Sequence, residues 1–222
     1  MEKAEKRHLP LAGMLLVLYG LLMFFEKTII LNKNVPPMFL LGLYLAAGLI
    51  LAALAVNFYN MASHRVRPLM FKESLLQAPY YYVTLIFVVI CGGLQLLTIW
   101  LQIKGYIGDF TLQGRIEKIT GLRLWAFRMF YVALLPFIQQ NLFNGVAFNE
   151  LFTRKTAFSR FAGLLLVALL TGLFSGQAFG WVLLVQMVIG LLISLSYLLA
   201  KNIATPLLIN IICNLIFVIL YS

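Results

Sequence analysis

The sequence predicts an all-α integral membrane protein, a polytopic bundle of about seven helices that cross a bilayer. Of its 222 residues, 63% are hydrophobic and only 11% are charged. Apolar runs of about 17–25 residues recur along the chain, and a run of that length spans the hydrocarbon core as a helix. We therefore expect a single integral membrane domain over 1–222, with N-terminal spans and loops in 1–121 and a core in 122–222.

The boundaries of the spans follow from the polar and proline-containing segments between them. Glu26 and Lys27 end the first apolar run, and Pro36 and Pro37 open the second. Tryptophan side chains near later span ends are typical of the membrane interface. The predicted spans are 10–25, 37–58, 80–102, 123–148, 157–179, 181–200 and 203–221.

The fifth span carries small residues at helical spacing. Gly172 and Gly176 are four residues apart, Gly180 follows at the same interval, and Ala168 lies one turn earlier. Residues four apart share one face of a helix, and a smooth face lets another helix approach closely. The pattern predicts close packing against a neighbouring helix of the same chain.

The charge of the chain indicates contact with membrane lipid. Seventeen Lys and Arg against seven Asp and Glu give a formal charge of +10. These bases are scattered through the predicted loops, where they meet anionic headgroups, and they form no stripe of the kind that tracks a nucleic acid. We expect lipid contacts and no nucleic-acid partner.

Amide side chains concentrate in the fourth and seventh predicted spans. Gln139, Gln140 and Asn144 lie in the fourth, and Asn210 and Asn214 lie one helical turn apart in the seventh. An amide at membrane depth is costly unless it finds a hydrogen-bond partner. We expect these five side chains to meet in one intramembrane polar cluster, which is the predicted binding site.

The spacing of the first amides resembles the first motif of the CPBP family, also called Abi proteins. That family includes the type II CAAX prenyl endopeptidases and bacteriocin self-immunity proteins, and its motif is written EExxFRG. The same frame reads QQNLFNG here, with Phe143 and Gly145 retained.

Two further frames extend the resemblance over about 125–221. Phe174 stands at the Phe of the family's Phe-x-x-x-His motif, and Ala178 stands at its His. In the last motif, which follows Gly190, Tyr197 and Pro206, Asn210 takes the His place and Asn214 is retained.

The departures from the family motifs remove the chemistry that the resemblance implies. In the family, glutamates and histidines are thought to activate a water, directly or through a metal. An amide cannot take up a proton near neutral pH, and it is a poor ligand for Zn²⁺. Both acid places hold glutamine, and the His places hold Ala178 and Asn210. We therefore expect no catalytic residue, no metal site and no cofactor.

A non-catalytic role is the favoured interpretation. The chain is expected to be a pseudoprotease of a plasma membrane, of bacterial type, that binds or regulates a membrane or cell-envelope partner or confers immunity to a membrane-active peptide. The amides also fit a purely structural role, in which they only hold helices together. An active CAAX-type intramembrane endopeptidase and a small transporter remain alternatives.

Overall fold

The computed structural model is a bundle of seven helices in the described residues, with no strand among them. It describes residues 9–29, 38–66, 80–108, 120–148, 157–175, 180–200 and 202–220. The helices are α1 (Leu9–Ile29), α2 (Met38–Val66), α3 (Tyr80–Ile103), α4 (122–148), α5 (Ala157–Phe174), α6 (Trp181–Ala200) and α7 (Ala204–Leu220). The predicted fold class is confirmed.

Length and composition identify the membrane-crossing helices. In the described part of the chain, four apolar helices are long enough to cross a bilayer: Phe39–Met61, Tyr80–Ile103, Ala157–Phe174 and Trp181–Ala200. The apolar stretches Pro10–Glu26 and Ala204–Leu220 are shorter. Large apolar side chains cover the outer surface, among them Phe39, Val89 and Phe158. A surface of this kind is stable in lipid and not in water, so the chain is an integral membrane protein.

Helix α4 occupies the centre of the bundle. Every residue from 138 to 148 is buried. Its neighbours are α1, α2, α5 and α7, whereas α3 packs on the far side of the bundle against α6 and α7. One large apolar core surrounds α4, and a smaller one lies between α3, α6 and α7. A hydrogen bond of 3.0 Å between the hydroxyls of Thr84 and Thr205 joins α3 to α7.

Two predicted span ends differ from the observed helices. Helix α2 continues to Val66 instead of ending at residue 58, because Phe58 and Tyr59 stay buried against the core and carry the helix past the apolar run. Helix α5 ends at Phe174 instead of 179. There Ser175 turns back, with both its N–H and its hydroxyl donating to the carbonyl of Gly172.

The small-residue stripe packs as predicted only in its first half. Ala168 and Gly172 are buried, and a side chain at Gly172 would collide with Met187 of α6. Gly176 lies outside the described residues. Gly180 is exposed with open space around it, so the prediction that it continues the stripe is wrong. The reason is that α5 has already ended, and the helical spacing no longer holds.

Close packing of α5 on α6 makes a prediction about Gly190. A Cβ at this position would lie 2.5 Å from the Cβ of Thr171, a branched side chain held by its own hydrogen bond to the carbonyl of Val167. We expect Gly190→Ala to destabilise the protein by about 1–3 kcal/mol through overpacking. Thermal unfolding in detergent measures the effect.

Gly93→Ala is the matched control, because nothing lies within 4 Å of a Cβ at Gly93 on α3. There the better helix propensity of alanine should leave stability unchanged or raise it by up to about 1 kcal/mol. Equal shifts in the two variants would contradict the close α5–α6 approach.

Candidate functional site

Gln139 connects three helices through both ends of its amide. Its Nε2 donates to the hydroxyl of Tyr19 on α1 at 2.8 Å, and its Oε1 accepts from Nδ2 of Asn210 on α7 at 3.0 Å. All three side chains are buried. The chain Tyr19–Gln139–Asn210 therefore satisfies polar groups that would be costly in a bilayer interior.

Gln140 and Asn144 form a second pair, one turn apart on α4. Nδ2 of Asn144 donates to Oε1 of Gln140 at 2.6 Å, and both side chains are almost completely buried. Gln140 is rotated by about 100° from Gln139 around the helix. Oδ1 of Asn144 is buried and has no hydrogen-bond partner in the described residues. It is an acceptor that a ligand's N–H can use.

Asn214 donates a hydrogen bond to a backbone carbonyl of α4 that has no donor within the helix. Residues 130–134 and 141–147 of this helix adopt the wider π form, and the N–H of Leu135 bonds to the carbonyl of Phe130, five residues back. The next donor in that register would be Pro136, which has no N–H. The carbonyl of Tyr131 is thus left without a helical donor, and Nδ2 of Asn214 donates to it at 2.8 Å.

The five predicted site residues therefore all engage α4, but in three separate groups. Gln139 and Asn210 bond directly, Gln140 and Asn144 bond to each other, and Asn214 bonds to backbone. No hydrogen bond joins these groups within the residues that the structure describes. Asn141, which is equally buried, turns back to the carbonyl of Phe137 at 2.8 Å.

The two phenylalanines of the motif frames meet beside Gln139. The ring centroids of Phe143 and Phe174 are 5.9 Å apart, and Tyr19 packs edge-on against both at 5.5 and 4.9 Å. Edge-on and tilted aromatic pairs of this kind stabilise one geometry. Gly145 of the same frame lies under Tyr59, where a Cβ would be 2.6 Å from the ring. The third frame place, Ala178, lies outside the described residues.

The motifs did not include two buried polar side chains of α1, Tyr19 and Glu26. They are seven residues apart, which is two helical turns, so they share one face. The sequence predicts that Glu26 ends the first span, but α1 continues to Ile29 and Glu26 is only 2% exposed. The seven-residue spacing was the signal that could have identified it.

The donor set at the motif positions does not fit a catalytic metal. The side chains there are amides, and both polar atoms of Gln139 are already used in hydrogen bonds. Over the described ranges, no group of three or more His, Cys, Asp or Glu side chains is placed to hold a metal ion. The arrangement is suited to donating and accepting hydrogen bonds, and no step through a metal follows from it.

The bond between Gln139 and Asn210 predicts energetic coupling between the two positions. In a double-mutant cycle with Gln139→Leu and Asn210→Leu, the two effects on thermal stability should be non-additive by about 0.6–2 kcal/mol, the range for interhelical polar contacts. A cycle with Gln139→Leu and Asn214→Leu is the control and should be nearly additive, because Asn214 bonds elsewhere. Additivity in both cycles would contradict the observed contact.

Comparison with protein families finds a match in the C-terminal half of the chain. Residues 121–216 match the family model for Rce1-like type II CAAX prenyl endopeptidases. No curated protein and no solved structure matches the chain. The matched segment contains α4 to most of α7, including Gln139, Gln140, Asn144, Asn210 and Asn214. Residues 121–216 are therefore similar to the Rce1-like type II CAAX prenyl endopeptidases, which confirms the resemblance predicted from the motifs.

Proposed function

We propose that this protein is a non-catalytic member of the family that binds another membrane or cell-envelope polypeptide without cleaving it. The observation that carries the proposal is the bond between Gln139 and Asn210. These residues stand at an acid place and a histidine place of the family motifs. Instead of a proton acceptor and a base, the two places hold amides that satisfy each other.

Hydrolysis needs a group that takes a proton from water, and the site offers none at the motif positions. General base catalysis contributes about 10²–10⁴-fold, and an amide supplies none of it. Amides in these places also lower the cost of burial, because an ionisable group near the bilayer centre costs about 2.5–3.5 kcal/mol. Glu150, the nearest acid in sequence to the motif, lies outside the described residues.

The site retains the capacity to bind. Oδ1 of Asn144 is a buried acceptor without a partner in the described residues. Such an atom costs about 1–3 kcal/mol in the free protein, and a ligand that donates to it recovers that cost. A polypeptide backbone supplies N–H donors of this kind. The partner class we propose is a membrane-embedded polypeptide in a bacterial plasma membrane, which includes a membrane-active peptide to which the protein confers immunity.

The family match favours one alternative, cleavage of prenylated CAAX proteins, because that activity is in the name of the family. It requires a proton acceptor other than Gln139, Gln140 and Asn210. A direct assay of cleavage distinguishes the two functions.

Asn144 gives a test of binding with a matched control. We expect photo-crosslinked capture from native membranes to recover a specific polypeptide with the wild-type protein. Asn144→Leu should weaken its recovery about two- to tenfold, the effect of losing one hydrogen bond worth about 0.5–1.5 kcal/mol.

Asn141→Leu is the control, because Asn141 is also buried on α4 but bonds to its own helix. The amount of polypeptide recovered with Asn141→Leu should equal the amount recovered with the wild-type protein. Equal losses in the two variants, or a captured polypeptide that is cut at a defined bond, would contradict the proposed function.

A further inference from the structure

Arg128 lies in the second turn of α4 and carries a charge that the motif residues do not use. It precedes Gln139 on the same helix by about 16 Å, at 1.5 Å per residue. Its side chain is half-buried, and its Nε is buried without a hydrogen-bond partner in the residues that the structure describes. An unsatisfied donor on a charged group is costly, so Arg128 favours a ligand that accepts hydrogen bonds.

The ring of Trp125, one turn earlier on α4, holds the guanidinium of Arg128 in place. Cζ of Arg128 lies 5.6 Å from the centroid of this ring, within the range of a cation–π contact. Such a contact leaves the planar fork of N–H donors available to oxygen acceptors. The fork matches the geometry of a phosphate or a carboxylate.

The surface of α4 beside Arg128 is apolar and faces the lipid. Leu122, Trp125 and Met129 are 56%, 62% and 64% exposed. Their spacing of three and four residues places them on one face of the helix. In an integral membrane protein an exposed apolar face of this kind contacts the acyl chains of lipids.

The directions of the helices show which other element shares this end of the bundle. Four contacts determine them: Gln139–Asn210, Tyr131–Asn214, Thr84–Thr205 and Gly92–Ile216. Between α4 and α7 one residue number falls as the other rises, so these helices are antiparallel. Between α3 and α7 both numbers rise together, so these helices are parallel. The start of α4 and the end of α3 therefore lie at the same end of the bundle.

Aromatic side chains mark this end as the level of the lipid headgroups. Trp125 of α4 and Trp100 of α3 are both exposed, and the ring of Trp100 packs against Tyr106 at a centroid distance of 6.4 Å. Tryptophan and tyrosine are enriched where the hydrocarbon core meets the headgroups. Arg128 is one turn from Trp125, so its guanidinium is at the depth at which lipid phosphates lie.

We propose that Arg128 and Trp125 form a binding site for the phosphate of an anionic phospholipid. The guanidinium donates hydrogen bonds to the phosphate oxygens, and Trp125 fixes the orientation of the guanidinium. The exposed side chains of Leu122 and Met129 contact the acyl chains of the same lipid. This site is separate from the amides of the motifs and does not depend on the binding of a polypeptide.

Charge favours an anionic lipid over a zwitterionic one. In phosphatidylcholine the choline offsets the charge of the phosphate, whereas the phosphate of phosphatidylglycerol is not offset. The chain carries a formal charge of +10, which attracts anionic lipid to its surface. A phospholipid also fits the apolar face beside Arg128, which an inorganic anion does not.

Fluorescence of Trp125 tests the proposal in vesicles that contain the full-length protein. The chain has three tryptophans, so replacing Trp100 and Trp181 by phenylalanine leaves Trp125 as the only one. Lipids with dibrominated acyl chains quench a tryptophan that they contact. We expect dibrominated phosphatidylglycerol to be preferred over dibrominated phosphatidylcholine about fivefold, which corresponds to about 1 kcal/mol for one basic group.

Variants separate Arg128 from the general charge of the protein. Arg128→Gln should abolish the preference for phosphatidylglycerol and leave quenching by phosphatidylcholine unchanged. Arg128→Lys should retain part of the preference, because lysine keeps the charge and loses the planar fork. Lys104→Gln is the matched control, because Lys104 is exposed just beyond the end of α3 and its loss also removes one charge at this end of the bundle. It should retain the full preference.

Equal quenching by the two lipids in the protein that retains Arg128 would overturn the inference, whether or not the variants fold. A preference that survives in Arg128→Gln would also overturn it, as would equal losses in Arg128→Gln and Lys104→Gln. Inorganic phosphate distinguishes a lipid from a free ion. An excess of it should leave the preference unchanged, and loss of the preference would assign Arg128 to a free phosphate ion and overturn the lipid site.

Discussion

The hydrogen bonds by which α4 shares its amides with α1 and α7 determine the rest of the site. Gln139 donates to Tyr19 and accepts from Asn210, at 2.8 and 3.0 Å. Each bond contributes little on average, about 0.6 kcal/mol in a membrane protein. Their effect on geometry is larger, because no water in the bilayer core can replace a lost partner. They fix the rotation of α4 and so direct Gln140 and Asn144 to the neighbouring face.

Polar groups in the bilayer core must find hydrogen-bond partners within the protein, and this also explains how the irregular backbone of α4 is stabilised. Its π segments and Pro136 leave the carbonyl of Tyr131 without a helical donor, and Asn214 satisfies it from α7 at 2.8 Å. An irregular helix is tolerated in a membrane only where neighbours re-satisfy its backbone. The matched segment is thus held together by amides, which stand at the positions that the motif resemblance assigns to the family's acids and a histidine, and by Asn214. In the proposed function this segment binds a polypeptide, and the unpartnered Oδ1 of Asn144 accepts a hydrogen bond from it.

The sequence predicted the helices well, because apolar runs bounded by polar residues determine where a chain crosses a bilayer. The spacing of the motifs predicted one cluster of five amides, and in the structure Gln139 and Asn210 bond to each other but not to the other three. The sequence did not predict Glu26, because an acid at the end of an apolar run is usually a solvated boundary. The inward direction of that side chain depends on how α1 is rotated against α2 and α4, which is a property of packing. The prediction that Gly180 continues the small-residue stripe is wrong for a similar reason, since residues four apart share a face only while the helix continues.

Cleavage by the purified protein is the most direct test of the proposed function, in which the site binds a polypeptide and does not hydrolyse it. The substrates are a prenylated CAAX peptide and a panel of transmembrane peptides, each incubated with the wild-type chain and with Gln140→Ala in vesicles. We expect no product above the level of protein-free vesicles for either chain, because Gln140 cannot take up a proton. Robust cleavage by the wild type that Gln140→Ala abolishes would contradict it and show the protein to be an enzyme.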